Sequence, residues 1–285
     1  MPIYNFRQPD ISEIPVNKLT HLNLAFLRPD SSGAISLPLW VDSLIQMAHT
    51  VNVKVLGSIG GGNAPAYYHQ LLERKQRKHF IEQLITTVTD HHLDGIDIDL
   101  EGDMIDSNYE SFVTELAVQL RQENKLITAA VATWTSARIT DKSLRQFDLV
   151  NIMSYDETGP WTPQTPGPHA SYEMATHDLN HWINERKLPK RKVILGLPFY
   201  GYRFGKPFIR SMSYAEIVQS FPQAAGDSIV INDTARIYFN SPATIDAKTK
   251  LALQQAGGVM IWQLLQDAEG DKALLNIIRR RFGRR

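Results

Sequence analysis

Short apolar segments rich in β-branched residues recur eight times along this chain of 285 residues, with helical patterns between them. Most are nearly continuous apolar runs, which is typical of strands buried on both faces. The eight predicted strands are Ile3–Phe6, Leu22–Leu27, Val53–Ile59, Leu93–Glu101, Leu126–Thr133, Leu149–Tyr155, Val193–Tyr200 and Gly258–Leu264. This alternation restricts the fold to a parallel sheet, because crossover helices are the usual connection between parallel strands.

Amphipathic stretches with apolar residues at helical spacing lie between these strands. The clearest are Leu39–Thr50, Arg77–Asp90, Tyr109–Arg121, His177–Lys187 and Thr244–Gln255. Eight strands that alternate with helices predict an α/β fold, a (β/α)8 TIM barrel, as one domain over residues 1–285. A doubly wound open sheet is the alternative, but no glycine-rich phosphate-binding sequence follows a strand. The least regular segment is predicted to hold a helix at Tyr214–Ser220 and a hairpin at Ile229–Asn240.

Charge and composition exclude several classes of function. The 30 basic and 30 acidic residues balance, so there is no electrostatic basis for binding nucleic acid or an anionic membrane. Cysteine is absent, which excludes disulfides and thiol catalysis. No apolar run approaches membrane-spanning length. The N-terminal residues have no basic segment followed by an apolar one, so we expect no signal peptide; the protein is secreted if a leader was removed and otherwise cytoplasmic.

The fourth predicted strand carries acids at alternate positions, Asp97, Asp99 and Glu101. Residues two apart on a strand point to the same face at a spacing of about 7 Å, so three like charges would line one side. Such a face costs free energy unless a proton, a metal ion or a substrate offsets it. Because catalytic residues of a barrel stand at the carboxyl ends of its strands, Glu101 is the candidate general acid, with the acids below raising its proton affinity. Asp94 has the opposite parity and is predicted to be structural.

A divalent metal site is the alternative interpretation, since carboxylates on barrel strands can hold Mg²⁺ or Mn²⁺. Two observations count against it. The clustered acids all lie on one strand, whereas a metal cage usually draws ligands from several, and His91 and His92 precede the strand, at the wrong end. We therefore predict no metal and no other cofactor. A metal-dependent barrel hydrolase stays as an alternative, and activity that survives a chelator would count against it.

The acidic run also resembles a known signature. Asp94–Glu101 matches the Asp-x-x-Asp-x-Asp-x-Glu motif of glycoside hydrolase family 18, the chitinases and related endo-N-acetylglucosaminidases. Four other segments are similar to motifs of the family and follow in its order. They are the Ser-x-Gly-Gly motif at Ser58–Gly61, the Met-x-Tyr-Asp motif at Met153–Asp156, the seventh strand at Leu197–Gly201, and the eighth strand with its tryptophan at Gly258–Trp262. The resemblance covers nearly the whole chain.

The resemblance implies a retaining hydrolase in which the substrate's own 2-acetamido oxygen attacks the anomeric carbon. It gives Glu101 the role of general acid and then general base, and it gives Asp99 the role of orienting the acetamido N–H. Asp97 would tune Asp99 from below. Tyr155 would donate its hydroxyl toward the acetamido carbonyl.

Residues that bind the sugar are implied in the same way. The candidates are Trp262, Asp156, Met153, Tyr200, Trp134 and Tyr4. Trp262 offers a flat apolar face for the −1 sugar, and Tyr109 and Trp161 are further candidate platforms. The segment Ser58–Gly61 contains no catalytic group, so its glycines are expected to allow close packing near the site.

The implied reaction is hydrolysis of β-1,4 bonds at N-acetylglucosamine residues, in chitin or chito-oligosaccharides first. An endo-N-acetylglucosaminidase acting on N-glycans or peptidoglycan is one alternative. A non-catalytic sugar-binding barrel is another, and the presence of Glu101, Asp99 and Tyr155 argues against it. The expected partner is a poly- or oligosaccharide that contains N-acetylglucosamine, bound by a monomer. Larger chitinases carry an α+β insertion between strands seven and eight, and Tyr202–Gly257 leaves too little room for a full one.

Overall fold

The computed structural model describes residues 10–205, 209–232 and 235–283. By their internal contacts they divide into two compact units, residues up to 151 (unit 1) and residues from 152 onward (unit 2). None of the described helices is both long and apolar enough to span a membrane.

Unit 1 is a parallel sheet with helices on its connections. Its strands, adjacent in chain order, are β1 (His21–Leu27), β2 (Lys54–Gly60), β3 (Gly95–Asp99), β4 (Leu126–Val131) and β5 (Leu149–Ile152). Its helices are α1 (Trp40–Thr50), α2 (Tyr68–Leu72), α3 (Arg74–Asp90), α4 (Tyr109–Gln122) and α5 (Asp141–Gln146). The register pairs Asp97 with Ser58 on one side and with Thr128 on the other, so polar residues meet in the middle of the sheet.

Helix packing in unit 1 follows the apolar periodicity of the sequence. Helix α4 buries residues at the spacing of one helical face, among them Phe112, Leu116 and Leu120. Phe112 stacks on Phe80 of α3 with ring centroids 5.7 Å apart. Each fully buried side chain of this size contributes about 1.5–3 kcal/mol through the hydrophobic effect. This face therefore fixes α4, and with it the loop that connects β3 to α4.

Unit 2 combines a parallel pair of strands with a small antiparallel sheet. Strands β6 (Val193–Pro198) and β11 (Gly258–Trp262) are parallel. The small sheet has the order β8-β7-β10-β9, formed by β7 (Tyr200–Gly205), β8 (Arg210–Ser213), β9 (Ser228–Asn232) and β10 (Ala235–Phe239). The helices are α6 (Tyr172–Asn180), α7 (Tyr214–Ser220), α8 (Pro242–Gln255) and α9 (Leu274–Phe282), and one π turn, His181–Glu185, extends α6.

Helix starts in unit 2 have clear chemical causes. Ser171, Ser213 and Ser241 cap α6, α7 and α8, each accepting a hydrogen bond from a backbone N–H in the first turn. Such a cap satisfies one of the four orphan donors at a helix N-terminus. Pro242 occupies the first turn of α8, where its missing N–H costs nothing.

Seven of the eight predicted strands are confirmed, and the eighth, Ile3–Phe6, lies outside the described residues. The acidic strand is shorter than predicted, because β3 ends at Asp99 and Glu101 follows it in extended backbone. The helix predicted at Tyr214–Ser220 is confirmed, and the predicted hairpin is β9 and β10. Sequence periodicity missed β7 as a separate strand, because only Phe199 separates it from β6.

Candidate active site

The three acids of the β3 strand and its end differ in burial. Asp97 is 3% exposed and Asp99 is 5% exposed, whereas Glu101 is partly exposed. A fourth acid, Asp94, does not belong to this row. Its Oδ2 accepts hydrogen bonds from the Val55 N–H at 2.7 Å and from His49 Nε2 at 2.8 Å, which confirms the predicted structural role. Among the described residues, no group of three or more His, Asp or Glu side chains is arranged to hold a metal ion.

Asp97 is held by three donors, from the adjacent strands β2 and β4 and from β5 beyond β4. Its Oδ2 accepts from Ser58 Oγ at 2.7 Å, and its Oδ1 accepts from Thr128 Oγ1 at 2.5 Å and from Asn151 Nδ2 at 3.2 Å. Hydrogen bonds to a buried carboxylate replace the water it has lost and fix its direction. Ser58 thus does more than the packing predicted for its motif, because it orients the lowest acid of the row.

Asp99 is less compensated by hydrogen bonds than Asp97. Burial raises the pKa of its carboxyl well above its usual range, and the charges of Glu101 and Asp97 raise it further. Its Oδ1 is buried and has no hydrogen-bond partner among the described residues. A buried polar atom in this state costs stability. Asp99 therefore holds a proton more tightly than an ordinary aspartate and has an acceptor oxygen available.

Glu101 leads directly into a 3-10 turn, Gly102–Met104. Arg138 fixes this turn by donating to the Gly102 carbonyl at 3.0 Å and to Asp103 Oδ1 at 2.7 Å. The Glu101 carboxylate faces Gly62, where a side-chain Cβ would lie 3.4 Å from Oε1. The sequence offered no reason for the third glycine after Ser58, and the structure supplies one, because Gly62 leaves space beside the acid.

Two glycines let the end of β2 pass close to β3. Gly60 and Gly61 have φ of 105° and 83°, which side-chain-bearing residues rarely adopt. A Cβ on Gly60 would lie 2.3 Å from the Asp99 carbonyl oxygen, and the Gly61 N–H donates to that oxygen at 2.7 Å. The predicted packing role of this motif is confirmed, since it fixes the backbone of Asp99.

In unit 2, one carboxylate oxygen of Asp156 accepts two hydrogen bonds. The hydroxyls of Tyr200 and Tyr202 both donate to its Oδ1, the second at 3.2 Å, and His169 Nδ1 lies 3.4 Å from the same atom. Burial and then the Asp156 charge raise the pKa of both tyrosines, so the two hydroxyls keep their protons. Asp156 has φ of 67° and a side chain that is 39% exposed, so the acid is accessible while one of its oxygens is held.

Tyr155 and Trp262 flank this cluster. Tyr155 is buried and meets Tyr200 edge to face, with ring centroids 6.3 Å apart. Gly196 on β6 makes room for it, since a Cβ there would lie 2.8 Å from the Tyr155 ring. Trp262 is partly buried and packs against the aromatic cluster of β7. Met153, just after β5, is partly exposed.

The candidate sugar platforms divide by exposure. Trp134 is 74% exposed and Trp161 is 55% exposed, so both have faces available to a ligand. The prediction for Tyr109 is wrong, because this residue begins α4 and is only 2% exposed. Burial, followed by the charges of Asp97 and Asp99, raises the pKa of its phenol. Tyr4 lies outside the described residues.

Sequence reasoning missed Thr128, Asn151 and His169. The first two had a signal, since each is a polar residue within an otherwise apolar strand, β4 or β5. His169 had none, because it lies at the end of a Pro/Gly/Thr-rich loop that has no periodicity. The parallel strand–helix order of unit 1, its row of acids on and just after β3, and the aromatic-acid cluster of unit 2 are each typical of a (β/α)8 hydrolase with carboxylate chemistry.

The model of the Glycosyl hydrolases family 18 matches residues 3–267, and the chain belongs to this family of glycosidases. Among solved structures, the chain is similar to the family 18 chitinase ChiB of Flavobacterium johnsoniae, with 37% identity, a TM-score of 0.89, and coverage of 95% of this chain and 89% of that one. A chitinase from Bacteroides thetaiotaomicron is 32% identical with a TM-score of 0.79, covering 94% and 90%. These matches confirm the predicted barrel class.

A curated relative, a chitinase-like effector of Moniliophthora roreri, is 27% identical over 226 residues. The match covers 68% of this chain and 55% of that protein. This chain therefore spans little more than half the length of that relative.

Proposed function

We propose that this protein is a retaining glycoside hydrolase that cleaves β-1,4 bonds at N-acetylglucosamine residues of chitin or chito-oligosaccharides by substrate-assisted catalysis. One observation carries the proposal: Asp99 is a buried acid with a raised pKa and an unpartnered oxygen, two residues before the partly exposed Glu101. This arrangement costs stability in the free protein, and a substrate amide that binds Asp99 offsets the cost. Residues 1–285 act as one catalytic domain in a monomer.

Glu101 is the proton donor of the mechanism. It protonates the glycosidic oxygen while the acetamido oxygen of the substrate attacks the anomeric carbon, and the bond to the leaving sugar breaks. The products of this step are an oxazolinium ion and the Glu101 carboxylate. The carboxylate then takes a proton from a water molecule that opens the ring from the leaving-group side, so the configuration is retained.

Asp99 acts on the acetamide rather than on the leaving group. Its free oxygen accepts a hydrogen bond from the acetamido N–H and so turns the carbonyl oxygen toward the anomeric carbon. As positive charge develops on the oxazolinium ion, the ionised form of Asp99 becomes the favoured one. Asp97, with its three fixed donors, holds the next position below and keeps Asp99 from moving.

The residues of unit 2 take the binding roles. Tyr155 donates its hydroxyl toward the acetamido carbonyl, and Asp156 accepts a hydrogen bond from the sugar. Trp262 provides the apolar face for the −1 sugar, and Met153 lines the same pocket. Tyr200 acts through its hydrogen bond to Asp156.

Trp134 and Tyr4 also bind the substrate. Trp134 is exposed and suits a sugar further along the chain. Tyr4 takes the role that the family resemblance implies for the aromatic residue of the first strand.

The test is hydrolysis of fluorogenic di- and tri-N-acetylchito-oligosaccharides by the wild type, Glu101→Gln and a control, Glu82→Gln. Glu82 is an exposed carboxylate on α3, 3.9 Å from Lys78, and its amide variant should keep full activity. Glu101→Gln removes the proton donor, so we expect kcat to fall by about 10²–10⁴-fold. Near-wild-type turnover by Glu101→Gln would refute the assignment of the acid.

Two further measurements on the wild type separate the alternative functions. A wild type that binds chito-oligosaccharides in calorimetry but releases no product would identify a sugar-binding barrel. Cleavage of N-glycans or peptidoglycan fragments in preference to chito-oligosaccharides would identify an endo-N-acetylglucosaminidase of different specificity.

A further inference from the structure

The loop that follows Asp156 is closed at its base. The Glu157 N–H donates to the His169 carbonyl at 3.0 Å, and Thr158 Oγ1 donates to the Gly167 carbonyl at 2.7 Å. Asp156 therefore stands at one end of this loop and His169 at the other. The positive φ of Asp156 is a conformation that non-glycine residues rarely hold without support.

A buried polar clamp fixes the far end of the loop. The carbonyl of Ala170 accepts from Lys248 Nζ and from Asn240 Nδ2, each at 2.7 Å, and Lys248 Nζ also donates to Asn240 Oδ1 at 2.8 Å. Lys248 and Ala170 are 0% exposed, and Asn240 is 3% exposed. A lysine is almost never buried this deeply without a specific set of partners. The clamp sets the position of the residue before Ala170, which is His169.

His169 contacts Asp156, Tyr200 and Tyr202. It is 1% exposed, its Nε2 lies 3.2 Å from the Tyr200 carbonyl, and its Nδ1 lies 3.4 Å from Asp156 Oδ1. Since a carbonyl can only accept, Nε2 carries a proton. The imidazole ring sits 4.9 Å from the Tyr200 ring and 5.1 Å from the Tyr202 ring, measured between centroids. One side chain thus touches the acid and both tyrosines that hold it.

We propose that His169 is a positioning residue for Asp156, held in place by the Lys248–Asn240 clamp on Ala170. This inference rests on the proposed function, in which Asp156 binds the sugar. The hydroxyls of Tyr200 and Tyr202 donate to Oδ1, and the His169 ring packs against both tyrosines, so the partly exposed carboxyl has one orientation toward the substrate. Without the His169 imidazole, the Asp156 carboxyl is still present but is free to rotate.

The test compares His169→Ala, His169→Gln and His169→Asn with the control His79→Ala, an exposed histidine on α3. Because a small misplacement of a binding group is enough to slow catalysis, we expect His169→Ala to lower kcat/KM by about 10–100-fold on chito-oligosaccharides. Gln places an amide where Nε2 was, and Asn places one near Nδ1. At least one of them should recover most of the loss. A purely structural residue would instead lower the melting temperature and leave the kcat of the folded protein unchanged.

A crystal structure of His169→Ala, or of His169→Leu if the alanine variant does not fold, gives a readout that does not depend on activity. The Asp156 carboxyl should leave the Tyr200 and Tyr202 hydroxyls. An unmoved carboxyl, or kcat/KM within about twofold of the wild type in folded His169→Ala, would overturn the inference. An inactive wild type with a displaced Asp156 in the variant would refute the proposed function and leave the positioning role standing.

Discussion

The buried lysine of α8 makes stability depend on pH in a way that one substitution can isolate. Burial lowers the pKa of Lys248 from an ordinary value of 10.5 to about 7, against the opposing effect of Asp227, Asp178 and Glu173. The neutral amine still has two N–H groups for its two acceptors, so the clamp on Ala170 survives loss of the charge. The informative change is Lys248→Met, which keeps the length of the side chain and removes its titration.

The sign and size of the effect follow from proton binding. Between about pH 7 and about pH 10 the unfolded chain keeps the lysine proton and the folded protein has lost it, so stability rises with pH. Below that window both states are protonated, and the full cost of burying the charge is present. A pH unit well inside the window is worth about 1.4 kcal/mol, and the folded lysine is only half deprotonated at about pH 7, so the wild type should gain about 2 kcal/mol over Lys248→Met between about pH 7 and about pH 9.

Urea unfolding of both proteins across this pH range measures the difference directly, because the other titrating groups cancel. The control is Lys250→Met, an exposed lysine on the same helix, which should show no such slope. The loss of two hydrogen bonds in Lys248→Met shifts its curve by a constant and does not change the slope. A pH-independent difference between the wild type and Lys248→Met, or a gain as pH falls, would show that the pKa of Lys248 is not lowered in the folded protein.

Two further predictions concern the acids. Asp99→Asn should lower kcat on chito-oligosaccharides by at least about 10²-fold. Asp99→Asn should also become more stable than the wild type as pH rises above the ordinary pKa of aspartate, because the raised pKa of Asp99 makes the wild type lose stability there. Thermal melts at acid and at neutral pH measure this difference. The same pH dependence of the melting temperature in both proteins would contradict it. Ser58→Ala removes one donor from buried Asp97 and should cost about 1–3 kcal/mol in urea unfolding, with a lower kcat. An unchanged unfolding midpoint would count against that hydrogen bond.

The strands were predictable because their signal is local. Apolar runs of strand length and helical periodicity are properties of a few neighbouring residues, and they located the strands of both units apart from β7 and β8. Strand β7 was not predicted, because it follows β6 with no turn residue between them. The burial of Tyr109 was not predicted either, because periodicity indicates helix α4 but not the direction in which its first side chain points.

The hydrogen bonds that complete the site were not predictable, because their partners are far apart in the chain. Ser58, Thr128 and Asn151 are 39, 31 and 54 positions from Asp97. The two donors to Ala170 are 70 and 78 positions away from it. Only the folded register brings such groups together, so the sequence could indicate the acids and not the groups that hold them.

The anomeric configuration of the first product distinguishes substrate-assisted catalysis from direct attack by water. Real-time NMR of N-acetylchitotetraose hydrolysis distinguishes the two anomeric protons before mutarotation mixes them. We expect the β-anomer to form first, because attack by the acetamide and then by water gives two inversions and net retention. Initial formation of the α-anomer would mean direct attack by water, and it would contradict the roles given to Asp99 and Glu101.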